Sequence, residues 1–202
     1  MGSDYRLLKV DDKITKRLFL NFPSNLYKDD KNWVRFLDQD IEKVFDPQKN
    51  KSFKYGEAIR WVVMNGKTVV GRIAAFYNKK SFTTENQPTG GIGFFDCIND
   101  QEVANLIFDA SKAWLLEKGV EAMDGPINFG SRETFWGCLK EGLHEPVYNM
   151  PYNHLYYNDL FENYGFKNYF NQYTYHVKME YGLIDPKIRE NANKLKEDKD
   201  IH

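Results

Sequence analysis

The stretch Gly90–Gly119, GGIGFFDCINDQEVANLIFDASKAWLLEKG, constrains the fold more than any other part of the chain. Gly91–Ile98 is apolar at nearly every position, as a strand covered on both faces must be. Asn99–Glu102 then has the capping-box pattern that opens a helix. Beyond it Val103, Leu106, Ile107, Ala110 and Trp114 recur at spacings of three and four, while Glu102, Asn105, Asp109, Lys112 and Glu117 take the other side. Gly119 is placed to end that helix as a left-handed residue. A buried strand feeding an amphipathic helix implies a sheet with helices packed on it, and a helix start where anionic groups can be held.

The second strong signal is a hairpin. Ala58–Met64 and Lys67–Tyr77 are β-rich runs on either side of Asn65-Gly66, and that dipeptide predicts a two-residue type I′ turn. Around these units the spacing predicts a first strand over Tyr5–Val10, capped onward by Asp11 or Asp12. A helix follows over Ile14–Phe22, interrupted at Pro23. A second helix is expected over Asn32–Phe45, with Trp33, Phe36, Leu37, Ile41 and Val44 as its stripe. Lys79–Thr89 reads as a polar loop and Val120–Asn128 as a short strand, with a short helix around Glu133–Leu139. Asn153–Tyr164 reads as a helix with Leu155, Tyr156, Leu160 and Phe161 inward and Gly165 as its stop. Lys167–Glu180 alternates aromatic and polar residues and predicts a long strand, and Pro186–Lys196 a polar helix or tail. The class is α/β with a mixed sheet.

Composition narrows the partners. With 28 basic and 29 acidic residues the net charge is −1, so no global field recruits nucleic acid or an anionic membrane. There is no run of about 18 apolar residues and no signal-peptide pattern, so no membrane partner is expected. Only Cys97 and Cys138 are present, which fits a reducing cytoplasm. His144, His154 and His176 have no metal-ligand spacing, so no metal is expected.

The order of elements, the unit Gly91–Gly119 and the phrase LFENYGF ending at Phe166 resemble the GNAT superfamily of acyl-CoA-dependent N-acyltransferases. The phrases GRIAA, GFFDCINDQEVANLIFDAS, GPINFG and MPYN resemble a little-characterised bacterial branch of it, over roughly Tyr5–Glu180. The resemblance implies a mostly antiparallel central sheet flanked by helices, with strands around 91–98 and 121–128 splayed apart. It implies a GNAT-like domain over 1–182 and a polar helical tail, or the start of a downstream segment, over 183–202. One strand fewer than usual after Gly165 leaves an open sheet edge, through which a homo-oligomer or downstream sequence would pair.

The resemblance also implies a chemistry, with acetyl-CoA or another acyl-CoA as cofactor. The pantetheine arm would run between the splayed strands, which places Phe95, Cys97, Asn99, Gln101, Asn128 and Asn153 as cofactor-binding candidates. The pyrophosphate would rest on the loop opening the next helix, where the family has a basic residue or Gln and two small residues. Here Ile98, Gln101 and Val103 fall on those positions, and Asp96, Asp100 and Glu102 bring carboxylates beside them. The family's proton-donating Tyr falls on Phe161, four residues before Gly165, so Tyr157 and Tyr164 become the catalytic candidates, with Glu133 beside Arg132 on the substrate side. Each candidate also has a plain reading: a core or surface tyrosine, a small buried cysteine in a strand, an arginine at position 72 paired with Asp96 or another acid. Three functions stay open: an N-acyltransferase acting on a small-molecule amine or peptide, a non-catalytic ligand- or partner-binding descendant, and an aminoacyl-tRNA-dependent transferase.

Overall fold

Sheet order follows chain order in the structure, a computed structural model describing residues 4–80, 87–175 and 185–197. Strands β1 (Tyr5–Lys9), β2 (Gly56–Asn65), β3 (Thr68–Asn78) and β4 (Thr89–Cys97) pair antiparallel, and β5 (Ala122–Asp124) pairs parallel with β4. Helices α1 (Lys13–Leu26) and α2 (Asp38–Val44) lie before the hairpin, with a 3-10 turn at Lys51–Lys54. Helix α3 (Gln101–Glu117) separates β4 from β5, and α4 (Tyr156–Tyr164) follows a long irregular segment. These elements belong to one compact unit, residues 1–167. The second unit, residues 168–202, holds helix α5 (Pro186–Glu197).

The sheet separates two apolar clusters, as alternation along its strands requires. One joins Val10, just past β1, with Phe19 of α1, Ile41 of α2 and Val62, Ala74 and Phe94 of the sheet. The other gathers Trp61, Val63, Ile73, Ile92 and Phe95 with Val103, Ile107, Phe108 and Leu115 of α3 and Tyr157, Leu160 and Phe161 of α4. The buried stripe of α3 is broader than its spacing predicts: Ala104, Phe108, Ser111 and Leu115 are buried, while Leu106 and Trp114 are half-covered. Ser111 tolerates this place because its hydroxyl donates to the Ile107 carbonyl at 2.7 Å. Gly119, at φ +78°, closes α3 in a Schellman motif: Val120 N–H donates to Leu115 O at 3.1 Å and Gly119 N–H to Leu116 O at 3.0 Å.

Several expectations change. The hairpin loop is Gly66-Lys67, because Asn65 pairs with Thr68, and Gly66 alone takes positive φ, as the first loop position of a II′ turn does. The cap of α3 is Asp100, one residue into the anticipated box. Helix α1 carries Pro23 inside it. A proline in a helix leaves the carbonyl four residues back without its donor, here Phe19 O, and Arg72 Nη1 supplies one at 2.8 Å. The second helix is only Asp38–Val44, because Trp33 and Phe36 are spent on contacts elsewhere: Trp33 stacks on Tyr27 at 5.1 Å and Phe36 meets Phe135 at 4.7 Å. No helix forms over Glu133–Leu139, and α4 begins at Tyr156, with Leu155 exposed. Strand β5 is three residues long rather than the run to Asn128. Residues 167–175 form no strand, since they have no ladder partner among the described residues; 176–180 lie outside the described residues, as do 81–86 of the polar loop.

What positions the site is the end of β4. Its ladder with β5 lasts for Thr89↔Ala122, Gly90↔Met123 and Gly91↔Asp124, and past β5 the chain keeps one more bond to β4, Ile127 N–H to Ile92 O at 2.8 Å, before the two separate. Gly93 lies against the crossing chain, where an added Cβ would stand 2.0 Å from the Ile127 carbonyl oxygen. Beyond Gly93 the ladder with β3 slips: Arg72 faces Asp96 and Ala74 faces Gly93, so Phe94 and Phe95 together oppose Ile73. This is a β-bulge, and Phe94 at φ +52° occupies a left-handed conformation that costs a residue with a side chain on the order of 1 kcal/mol.

Candidate functional site

Past the bulge a buried polar chain crosses from one face of the sheet to α4. Arg72 Nε donates to Asp96 Oδ2 at 2.7 Å, and its Nη2 lies 2.7 Å from the same oxygen. The other carboxylate oxygen, Oδ1, accepts the Tyr157 hydroxyl at 3.1 Å. Tyr157 in turn accepts from the Tyr27 hydroxyl at 3.1 Å and from the Cys97 N–H at 3.1 Å. All four side chains are buried. Burial pushes the Asp96 carboxyl up, against the pull of Arg72 and of the tyrosine hydroxyls. Burial, and next the Asp96 charge, push the Tyr157 phenol far above its ordinary value, so it holds its proton.

This chain borders a cleft of about 100 Å³ lined by Arg72, Asp96 and Tyr157 and otherwise mostly by aromatic and apolar side chains, among them Trp33, Phe94 and Trp136. A larger open groove of about 510 Å³ runs along α1 past Lys13, Arg17 and Val69, but no buried polar side chain enters it. The loops that wall the cleft are pinned by long-range bonds. Asn153 accepts Leu139 N–H at 2.5 Å and donates to Leu139 O at 3.2 Å; Tyr152 donates to the two Asp30 oxygens at 2.8 and 3.0 Å.

The candidates from the sequence separate accordingly. Phe95, Cys97 and Tyr157 come together, Asn153 braces the wall, and Asp96, read in the sequence as a charge hostile to phosphate, sits at the centre. Phe95 sends its ring into the core, stacked on Phe108 at 5.0 Å. Cys97 is fully buried with its thiol pushed up by burial, and its backbone is used at both ends: N–H to Tyr157, and carbonyl accepting the Tyr156 hydroxyl at 2.8 Å. Tyr164 lies elsewhere, its hydroxyl on Asp109 at 2.7 Å. Glu133 and Asn99 are exposed. Asn128 donates to Ser131 O at 2.8 Å and Thr134 Oγ1 at 3.2 Å, and its buried Oδ1 has no partner among the described residues. Among the described residues no group of three His, Cys, Asp or Glu side chains could hold a metal ion.

Gln101 is held by α4, donating to Asn105 Oδ1 at 2.9 Å and Leu160 O at 3.2 Å and accepting from Asn163 at 3.2 Å. The start of α3 is occupied by its own acid. Asp100 Oδ1 accepts Glu102 N–H at 2.8 Å and Val103 N–H at 3.3 Å, its carbonyl accepts Ala104 N–H at 3.1 Å, and Tyr5 donates to its Oδ2 at 2.7 Å. A pyrophosphate needs those N–H groups and a positive field; here both are answered by a fixed carboxylate. The residues at this place do not fit the nucleotide end of coenzyme A.

No family model matches the chain. Protein YghO of Escherichia coli (strain K12) is 31% identical over 130 residues, covering 64% of this chain and 33% of that protein. Bacterial ceramide synthase of Caulobacter vibrioides is 26% identical over 159 residues, covering 74% of this chain and 41% of that protein. The matched stretches therefore cover about a third of one curated relative and about two fifths of the other. Among solved structures, an aminoglycoside acetyltransferase from a soil metagenomic sample, in complex with trehalose, superposes with a TM-score of 0.51 at 12% identity, over 86% of this chain and 97% of that one. AAC(6')-Iy in complex with a CoA bisubstrate analog gives 0.52 at 10% identity, over 88% of this chain and 100% of that one. A predicted acetyltransferase with acetyl-CoA from Clostridium acetobutylicum gives 0.50 at 10% identity, over 85% and 96%. Strand order, the parting of β4 from β5 and these superpositions agree: the chain has the fold of the GNAT-type acetyltransferases.

Proposed function

We propose that this chain transfers an acyl group from an acyl thioester to an amine that carries an apolar chain. The observation that carries the reading is the hydrogen-bonded pair Tyr157–Asp96 on an aromatic cleft, set where β4 is bulged and has left β5. The amine nitrogen attacks the thioester carbon, and the proton it loses goes to Asp96. The C–S bond breaks as the C–N bond forms, and Tyr157 gives its phenolic proton to the departing sulfur. The Asp96 proton then passes through the shared hydrogen bond to Tyr157, so the pair is reset and one amide and one thiol leave. Arg72 keeps Asp96 in place, and the bulged backbone at Phe94–Phe95 is the source of N–H donors for the oxyanion.

The acceptor's apolar character rests on the lining of the cleft and on exposed apolar side chains close to it in sequence. Exposed Val34 and Leu37 flank the lining residue Phe36, and exposed Leu143 and Val147 precede the lining residue Met150. Asn32 joins the two segments by donating to Leu143 O at 2.9 Å. Similarity to a bacterial ceramide synthase supports the same class, since a ceramide is the amide of a fatty acid and a long-chain amino alcohol. Incubating the protein with acetyl and palmitoyl thioesters and either a long-chain amino alcohol or an aminoglycoside, with products read by mass spectrometry, tests it. The expected result is an amide of the long-chain amine; an aminoglycoside amide alone would overturn the acceptor class.

A second reading, ligand binding without turnover, is favoured by the self-capped start of α3. It requires that the cleft bind a long-chain amine while no amide forms from any thioester.

A further inference from the structure

We propose that this chain reads its acyl donor short of the nucleotide: the ligand is an acylated pantetheine arm, and the adenosine diphosphate of coenzyme A contributes nothing to recognition. The inference rests on the acyl-transfer reading above and concerns only how the donor is held.

Three contacts that a nucleotide-bearing donor would make at the end of β4 are already made inside the chain. The first-turn amides of α3 at Glu102 and Val103 donate to Asp100, and the next, at Ala104, donates to the Asp100 carbonyl. The Asp100 carboxylate is not free to swing aside, because Tyr5, from the far end of the sheet, donates to its second oxygen at 2.7 Å. A diphosphate arriving there would meet a fixed negative charge in place of the helix's donors. The last backbone groups of β4 are spent as well: Cys97 gives its N–H to Tyr157 and its carbonyl to Tyr156. Gln101, the polar side chain best placed to greet a phosphate, is turned to α4, bound to Leu160 O and Asn163. What stays open is the cleft upstream, at Phe94–Asp96, where an arm ending in a thioester reaches Tyr157.

The same arm occurs on coenzyme A and, through a single phosphodiester, on acyl carrier proteins, so three donors of one acyl group are compared: acyl-pantetheine, acyl-CoA and acylated carrier protein. Binding is read by calorimetry and turnover by mass spectrometry of the amide. The expected result is that acyl-pantetheine and acyl-CoA agree within about threefold in Kd and in kcat/KM; faster turnover of the carrier-protein donor would agree with the proposal and name the source. In Asp100→Gly, which frees the amides while glycine remains an acceptable cap, acyl-CoA is expected to gain at least about tenfold over acyl-pantetheine. A preference of the unaltered protein for acyl-CoA above about tenfold would overturn the inference. So would Asp100→Gly leaving the ratio unchanged while circular dichroism confirms the fold. Binding of acyl-pantetheine without transfer would leave the inference standing and remove the catalytic reading; binding of no donor would remove both.

Discussion

Asp96 and Asp100 stand in one short run of chain, yet the two carboxylates are used in opposite ways. Asp96 is buried, paired with Arg72 from the neighbouring strand, and offers one oxygen to a tyrosine hydroxyl on a cleft. Asp100 is turned on its own helix and caps the amides that an anion would need. The chain thus holds a buried hydrogen-bonded pair at the bulge, while the helix start a few residues on is capped by its own acid. Sharing a fold therefore does not fix what the same place in it can hold.

The largest effect is expected at Asp96. Arg72→Met leaves a carboxylate buried without its partner and Phe19 O without its donor, which should cost about 3–5 kcal/mol in urea unfolding. Adding Asp96→Leu to that variant removes the stranded charge, and stability is expected to recover by about 1–3 kcal/mol although activity does not. If the double variant is no more stable than the single, the uncompensated Asp96 charge is not what destabilises Arg72→Met.

At the other carboxylate the effect is smaller. Asp100→Ala removes a cap bonded to two amides and should cost about 1 kcal/mol in thermal or urea unfolding, with acyl transfer from acyl-pantetheine kept. Loss of transfer in that variant would erase the distinction between the two sites.

The smallest expected effect is on pH. His154 stacks on Tyr27 at 4.4 Å and on Tyr156 at 5.0 Å, and burial lowers its pKa below the ordinary value, against the pull of Asp30 and Asp96. The unfolded chain then binds the proton more readily, so stability is full above about pH 6.5 and falls as pH drops from there through the folded value. His154→Phe should flatten the Tm-against-pH curve in that window; an unchanged curve would show that another group sets it.

Much of the fold was legible because its signals are local. The hairpin glycine, the strand-to-helix unit ending at Gly119 and the stop at Gly165 each depend on near neighbours. The mistakes came where distant residues decide. Pro23 looks like a helix end until Arg72, contributed by β3, reaches the carbonyl it orphans. The apolar residues Trp33 and Phe36 have a helical spacing, but they are taken by Tyr27 and Phe135. The candidate site was half legible. Tyr157 was singled out from its place one turn before Phe161, and Asp96 was read both as a charge hostile to phosphate and as a partner for Arg72, but not as a partner of Tyr157. The bond that gives it a role joins residues 61 apart, and no spacing rule reports such a pair. The Arg72–Asp96 pair was within reach, because an acid inside an otherwise apolar strand and an arginine inside the preceding one need each other when buried.

The central claim is that Tyr157, held by Asp96, supplies the proton for acyl transfer in this cleft. Its most direct test is the steady-state rate of amide formation from a long-chain amine and an acyl thioester, for the unaltered protein and for Tyr157→Phe with its fold checked by circular dichroism. The account predicts amide from the unaltered protein and a kcat about 10²- to 10⁴-fold lower in the variant, with KM little changed. A variant that turns over at the unaltered rate would contradict it.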